Sequence, residues 1–281
     1  MVKGVMTMKN IKKIFAVLIS LLILAVMSVP SLAATSNVRV TVGGVPINSD
    51  ASSKIIDGTV YVPLRAFCDA FGANSVTWDQ KTQTATVYCR NIKITASAND
   101  AYIVANGRYL YLSQNHNISS RIFVPLETLA KAFGATVKST SNGYNVVDSG
   151  SVIRSGDSFY DSDCVFWLAR IIHAEAVGES MLGKIAVGNV ILNRVASAEF
   201  PNTIYGVIFD KKYGVQFTPV ASGTIYNTPS ADSMIAAKIC LEGYSVSNKI
   251  LYFMNPAIAT SAWISRSRKY AMTIGNHAFY N

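Results

Sequence analysis

The chain has 281 residues, with 25 Lys and Arg against 16 Asp and Glu, a formal charge of +9. That length admits a leader and two domains. No Lys/Arg-rich cluster stands out, which argues against a nucleic-acid partner, and four cysteines without a CxxC pair or zinc spacing argue against a thiolate metal site.

The chain opens on Lys3, Lys9, Lys12 and Lys13, then the apolar run "IFAVLISLLILAVMSV", Pro30 and the small-residue site "SLAA". This is the pattern of a signal peptide over residues 1–34, cleaved after Ala33 or Ala34. Removing the four leader lysines from +9 leaves +5 for an exported chain. Met8 is an alternative start, and an uncleaved anchor is the alternative to cleavage. Export would permit one disulfide per half, Cys68 with Cys89 and Cys164 with Cys240. Buried free thiols are the other reading, and both stay open.

Residues 35–150 form the next unit, and they repeat. "VYVPLRAFCDAFGA" (Val60 to Ala73) returns as "IFVPLETLAKAFGA" (Ile122 to Ala135). Each copy predicts a strand, a helix with Pro63 or Pro125 in its first turn, and Gly72 or Gly134 at its left-handed end. The alternating segments "SVTWDQKTQTATVYC" and "TVKSTSNGYNVV" predict hairpins, the second turning at Asn142-Gly143. The expectation is one small α+β unit, duplicated. The doubled "VPL…AFGA" resembles the stalk-like module named after the N-terminal domain of copper amine oxidases, over roughly Asn37 to Val147. That resemblance implies a wall-binding or spacer role. His116 is the only histidine in the module, so no copper site is read from the name.

"DSGSVIRSGDS" is a Ser/Gly-rich seam, and residues 158–281 read as a second, mainly α domain. Helices are predicted over Ser162 to Ala176, over Met181 to Ala198, and from "TPSADSMIAAKICLEGY", with Thr228 capping, Pro229 in the first turn and Gly243 at the end. Long polar-aromatic loops between them suit a cleft. In the first helix Glu175 stands seven after Leu168 and three or four after Ile171 and Ile172, on the apolar face. A carboxylate there is a misplaced surface residue, a partner of Arg170 or Arg194, or a general acid whose pKa burial has raised. Glu179, one turn on, is expected to cap or face solvent. His173, at i+2, should face away from Glu175.

The ordered motifs "AEAVGE", "LNRV", "FPNT", "QFTPV", "NP" and "GNHAF" resemble the cell-wall hydrolase family of the spore-cortex-lytic enzymes, over roughly Asp161 to Asn281. The resemblance implies a fold similar to lysozyme and the lytic transglycosylases, with Glu175 as the catalytic proton donor. It implies peptidoglycan as substrate, cut at the β-1,4 bond between N-acetylmuramic acid and N-acetylglucosamine. Val177 departs from the family, which often carries Arg there. Ordinary glycosidases need two carboxylates. Asp210 lies on a loop and Asp232 suits a helix first turn, so a lone acid points to a transglycosylase, in which the muramic C6 hydroxyl attacks. A water-using muramidase and a non-catalytic wall-binding protein are the rivals. Gln216, Phe217, Tyr252, Asn255 and Trp263 are substrate-binding candidates, each with an ordinary packing or turn alternative. His277 is expected to be structural. No metal, cofactor or nucleic acid is expected. A monomer is expected, secreted to the cell wall or spore cortex, with an accessory wall or spore-coat protein as a further partner.

Overall fold

The computed structural model describes residues 35–281 except Asn99, Ser113 and Tyr213. The expected leader lies outside the described residues. The architecture is α+β.

In the first half the two "VPL" stretches meet. Strands Thr59–Pro63 and Arg121–Pro125 pair antiparallel, Val62 opposite Val124, Tyr61 opposite Pro125 and Pro63 opposite Phe123. Val62 therefore faces its own counterpart, and the repeat exchanges the two flanking pairs, a local twofold relation. From these strands leave helices α1 (Leu64–Ala70) and α2 (Leu126–Ala132). Pro63 and Pro125 sit one position earlier than expected. They close the strands and act as N-caps, because a proline φ near −60° fits extended backbone as well as a helix start. Phe71 and Phe133, again counterparts, stack with ring centroids 4.4 Å apart at the centre of the core.

Both predicted hairpins form. Ala73–Asp79 pairs with Thr84–Cys89 and opens a five-stranded antiparallel meander through Ile92–Ser97, Tyr102–Ala105 and Arg108–Tyr111. Thr136–Thr140 pairs with Gly143–Val147, which adds to Val40–Val42 in parallel. At Gly143, φ is +136° and a Cβ would stand 2.1 Å from the Arg39 carbonyl oxygen, so only glycine fits this turn. Alternation decides the inward face. Val87, Ile94 and Ile103 are buried while Tyr88 and Trp78 are exposed.

The second half carries helices α3 (Gly156–Phe159), α4 (Ser162–Ala176), α5 (Met181–Ala196), α6 (Ile204–Ile208), α7 (Thr218–Ser222), α8 (Ala231–Leu241) and α9 (Trp263–Ser267). A three-stranded antiparallel sheet completes it, with His277–Tyr280 between Tyr252–Met254 and Tyr270–Ile274. α5 ends two residues short of Ala198. The cap of α8 is Ser230, accepting from the Ser233 amide, rather than Thr228, so Pro229 precedes the helix. α4, α5 and α8 pack on one another closely enough that a Cβ on Gly188 would meet Cys240 Sγ at 2.7 Å and Ile172 Cδ1 at 2.9 Å.

All four cysteines are free, which decides the disulfide question in favour of thiols. The seam is no loose tether. Ile153 is buried, its amide donates to the Ala132 carbonyl, and the Gly156 amide donates to Asn106. The halves are further joined by a buried fork, in which Arg108 Nε and Nη2 donate to the Glu242 carboxylate at 2.7 and 2.6 Å. Tyr160 donates to the same carboxylate, and Tyr111 stacks against Tyr244.

Candidate active site

Glu175 lies in the last turn of α4, below Leu168, Ile171 and Ile172, all fully buried. Asp161 caps the start of this helix and fixes its register. The Glu175 side chain emerges on the floor of a cleft of about 1290 Å³, bounded by Phe200, Asp210, Gln216, Tyr252, Trp263 and His277. Among the described residues no hydrogen bond or ion pair reaches its carboxyl. Burial alone pushes its pKa from 4.5 up to about 7. Neither arginine considered from the sequence pairs with it: Arg170 Nη1 donates to the Asn227 carbonyl and Arg194 Nε to the Leu251 carbonyl. Burial thus favours the protonated carboxyl well above the usual glutamate range, in a solvent-reachable cleft, the condition a general acid needs.

Glu179 corrects the expectation of a capping or solvent-facing residue. Its side chain is only 8% exposed. It accepts from the Asn276 backbone amide at 3.2 Å and from Asn276 Nδ2 at 2.9 Å, and its Oε1 lies 3.7 Å from His277 Nδ1. Burial acts to raise its pKa, but the Asn276 bonds, His277 and Lys184 prevail and hold it below the usual glutamate value. Glu179 is therefore an ionised clamp on the turn that leads into strand His277–Tyr280. It does not act on the acid: burial is the sole cause of the Glu175 shift. Burial lowers the pKa of His277, against the pull of Glu179, so its imidazole is neutral at pH 7. It packs edge-on to Phe253. His173 accepts from the Ser230 amide, away from the cleft.

The five sugar-contact candidates all reach the cleft lining. Trp263 is the most open of them, at 54% exposure. Tyr252 is buried beneath it, with ring centroids 6.0 Å apart and the Arg268 guanidinium 4.4 Å over the tyrosine ring. Phe217 is nearly buried and belongs as much to the core as to the cleft. Gln216 Nε2 donates to the Gly214 carbonyl, and Asn255 Oδ1 accepts from the Ala257 amide, so both carry local turn bonds as well.

Two lining residues were named in the sequence reading but not placed in the cleft. Arg194 is buried with its guanidinium stacked over Phe200, Phe217 and Tyr252 at 4.9 to 5.3 Å. Burial pulls it down to about 10, against Tyr252 and Asp210. An arginine between apolar residues in "VILNRVA" was the available signal. Asp210, set aside as a loop residue, also lines the cleft, and its Oδ1 accepts from the Lys212 amide. Asp232 stands in the first turn of α8. Among the described residues no group of three or more His, Cys, Asp or Glu is placed to hold a metal.

The second half thus places a buried glutamate on the floor of a large cleft, and comparison with known proteins gives its kin. The family model described as Cell Wall Hydrolase matches residues 178–280, and that of the Copper amine oxidase N-terminal domain matches residues 41–147. A Spore cortex-lytic enzyme of Bacillus cereus is 33% identical over 184 residues, 58% of this chain and 70% of that protein. The Spore cortex-lytic enzyme of Bacillus subtilis is 41% identical over 112 residues, 40% of this chain and 35% of that one. The solved catalytic domain of the germination-specific lytic transglycosylase SleB from Bacillus anthracis aligns over 46% of this chain and 100% of its own, at 40% identity and a TM-score of 0.40. The chain belongs to the spore cortex-lytic enzymes, a family of cell wall hydrolases. The hydrolase match begins downstream of Glu175, so the role of that residue rests on its own geometry.

Proposed function

We propose that this chain degrades peptidoglycan of the spore cortex or cell wall, cutting the β-1,4 bond between N-acetylmuramic acid and N-acetylglucosamine as a lytic transglycosylase. The observation that carries the reading is the unpaired Glu175 carboxyl on the cleft floor, with a pKa near 7. Protonated Glu175 gives its proton to the departing glycosidic oxygen as the C1–O bond breaks. The carboxylate left behind takes the proton of the muramic C6 hydroxyl as that oxygen attacks C1. A 1,6-anhydro ring forms, the acid is restored, and no water is consumed. The N-acetyl group can help stabilise the oxocarbenium ion.

The transglycosylase outcome is favoured because Glu179, the neighbouring carboxylate, is committed to Asn276 and His277. A muramidase outcome is the second reading, favoured by Asp210 in the cleft lining, which could activate water. In this account residues 1–34 export the chain, residues 35–150 are a duplicated α+β unit that binds or spaces against the wall, and residues 158–281 form the lysozyme-like catalytic domain, working as a monomer. Gln216, Phe217, Tyr252, Asn255 and Trp263 contact the glycan. Mass spectrometry of digested sacculi tests the outcome: anhydro-muropeptides, one water lighter, are expected. Reducing muramic ends in their place would establish the muramidase, and intact sacculi would refute the enzyme.

A further inference from the structure

The first half carries a cleft of its own, of about 580 Å³, where α1, the hairpin of residues 73–89 and the hairpin of residues 116–125 meet. That size lies within the usual range of ligand sites, about 300–1,000 Å³. Its wall is Trp78, on the edge strand Ala73–Asp79, and 43% of this large residue is exposed. An indole left in solvent beside a cavity forfeits burial that the fold could have used. Trp78 Nε1 donates to Gln80 Oε1 at 2.9 Å, which ties the polar edge of the ring to its own hairpin.

Arg65, Asp69, Asn48 and Asn117 line the same cleft. Among the described residues their side chains make no hydrogen bond or ion pair. Arg121 and Asp50, also in the lining, are paired with each other. The charges balance, Arg65 and Arg121 against Asp50 and Asp69, so the cleft has no bias toward a polyanion. An aromatic wall with unspent amide, carboxylate and guanidinium groups suits a hydroxyl- and amide-bearing sugar chain.

The repeat sharpens the contrast. The positions answering to Trp78, Arg65 and Asp69 in the second copy are Thr140, Glu127 and Lys131. Lys131 lies 3.5 Å from Glu242 of the second half. One copy thus braces the catalytic half, and the other bears the ring.

We propose that the Trp78 cleft is a second glycan-binding site, which holds an amino-sugar strand away from Glu175. This goes beyond the catalytic assignment but rests on peptidoglycan being the polymer. The test uses the full mature chain with Glu175→Gln, so that the polymer survives. A β-1,4-linked N-acetylglucosamine hexamer should move the Trp78 indole resonance, assigned through Trp78→Tyr. Trp78→Ala should lower retention on purified sacculi about tenfold, while Trp78→Tyr retains most of it. With Glu175 intact, Trp78→Ala should cleave soluble glycan fragments at the parent rate. An unmoved indole resonance, unchanged retention, or displacement by a sugar-free stem peptide but not by the hexamer would each overturn the proposal. Failure of the parent chain to cleave soluble fragments would instead count against the catalytic reading, whatever Trp78 does.

Discussion

At Glu175 a single carboxyl bears two opposite demands. Its folded pKa of about 7 lies above the unfolded value of 4.5, so the folded chain holds that proton more tightly. The stabilising contribution is complete below pH 4.5, and it is lost as pH rises to 7 and beyond. Glu175→Gln should therefore raise stability at pH 8, by on the order of 3 kcal/mol at most, seen as a higher melting temperature. The same change should cut cleavage by about 10²-fold or more, the worth of a positioned acid. In the native chain the rate should fall as pH climbs through 7, because only the protonated form can donate. A flat profile between pH 6 and 8 would contradict this. The burial of Glu175 was legible in the sequence because a helix of period 3.6 sets it on the face of Leu168 and Ile171, whereas its role as an acid came only from the family resemblance. Glu179 misled for the opposite reason. Its partners stand 97 positions away, in a turn whose approach no local pattern reveals.

At the scale of elements, the clamp on the turn at Gly275 and Asn276 fixes the edge of the cleft. Glu179→Gln leaves the shape but removes the charge, and the bonds from Asn276 weaken. A loss of about 1–3 kcal/mol is expected, with faster hydrogen exchange at the Asn276 amide. Unchanged exchange would show that the turn holds itself. The two hairpins were plain from alternation and from Asn142-Gly143, whereas strands Ile92–Ser97, Tyr102–Ala105 and Arg108–Tyr111 were not read from the sequence. Helix ends were less so. Thr228 and Ser230 are both good caps, and packing of α8 against α4 and α5, not cap chemistry, chooses between them.

For the whole molecule, the docking of the two halves was the part the sequence concealed. A Ser/Gly-rich seam reads as a joint, yet the amides of Ile153 and Gly156 both bond back to the first half. Arg108 and Glu242 are 134 residues apart, and neither stands out in its own segment. Their fork is buried, so removing one partner strands a charge. Arg108→Ala should cost on the order of 3 kcal/mol and separate the melting of the two halves in calorimetry. A single unchanged transition would mean that the tyrosine contacts suffice.

The proton on Glu175 is the centre of the account, and a site-resolved titration of its carboxyl carbon by NMR reads that proton directly. The account predicts a midpoint near 7 in the native chain. A midpoint near 4.5 would mean that the carboxyl is ionised when the glycan arrives, and the catalytic assignment would fail.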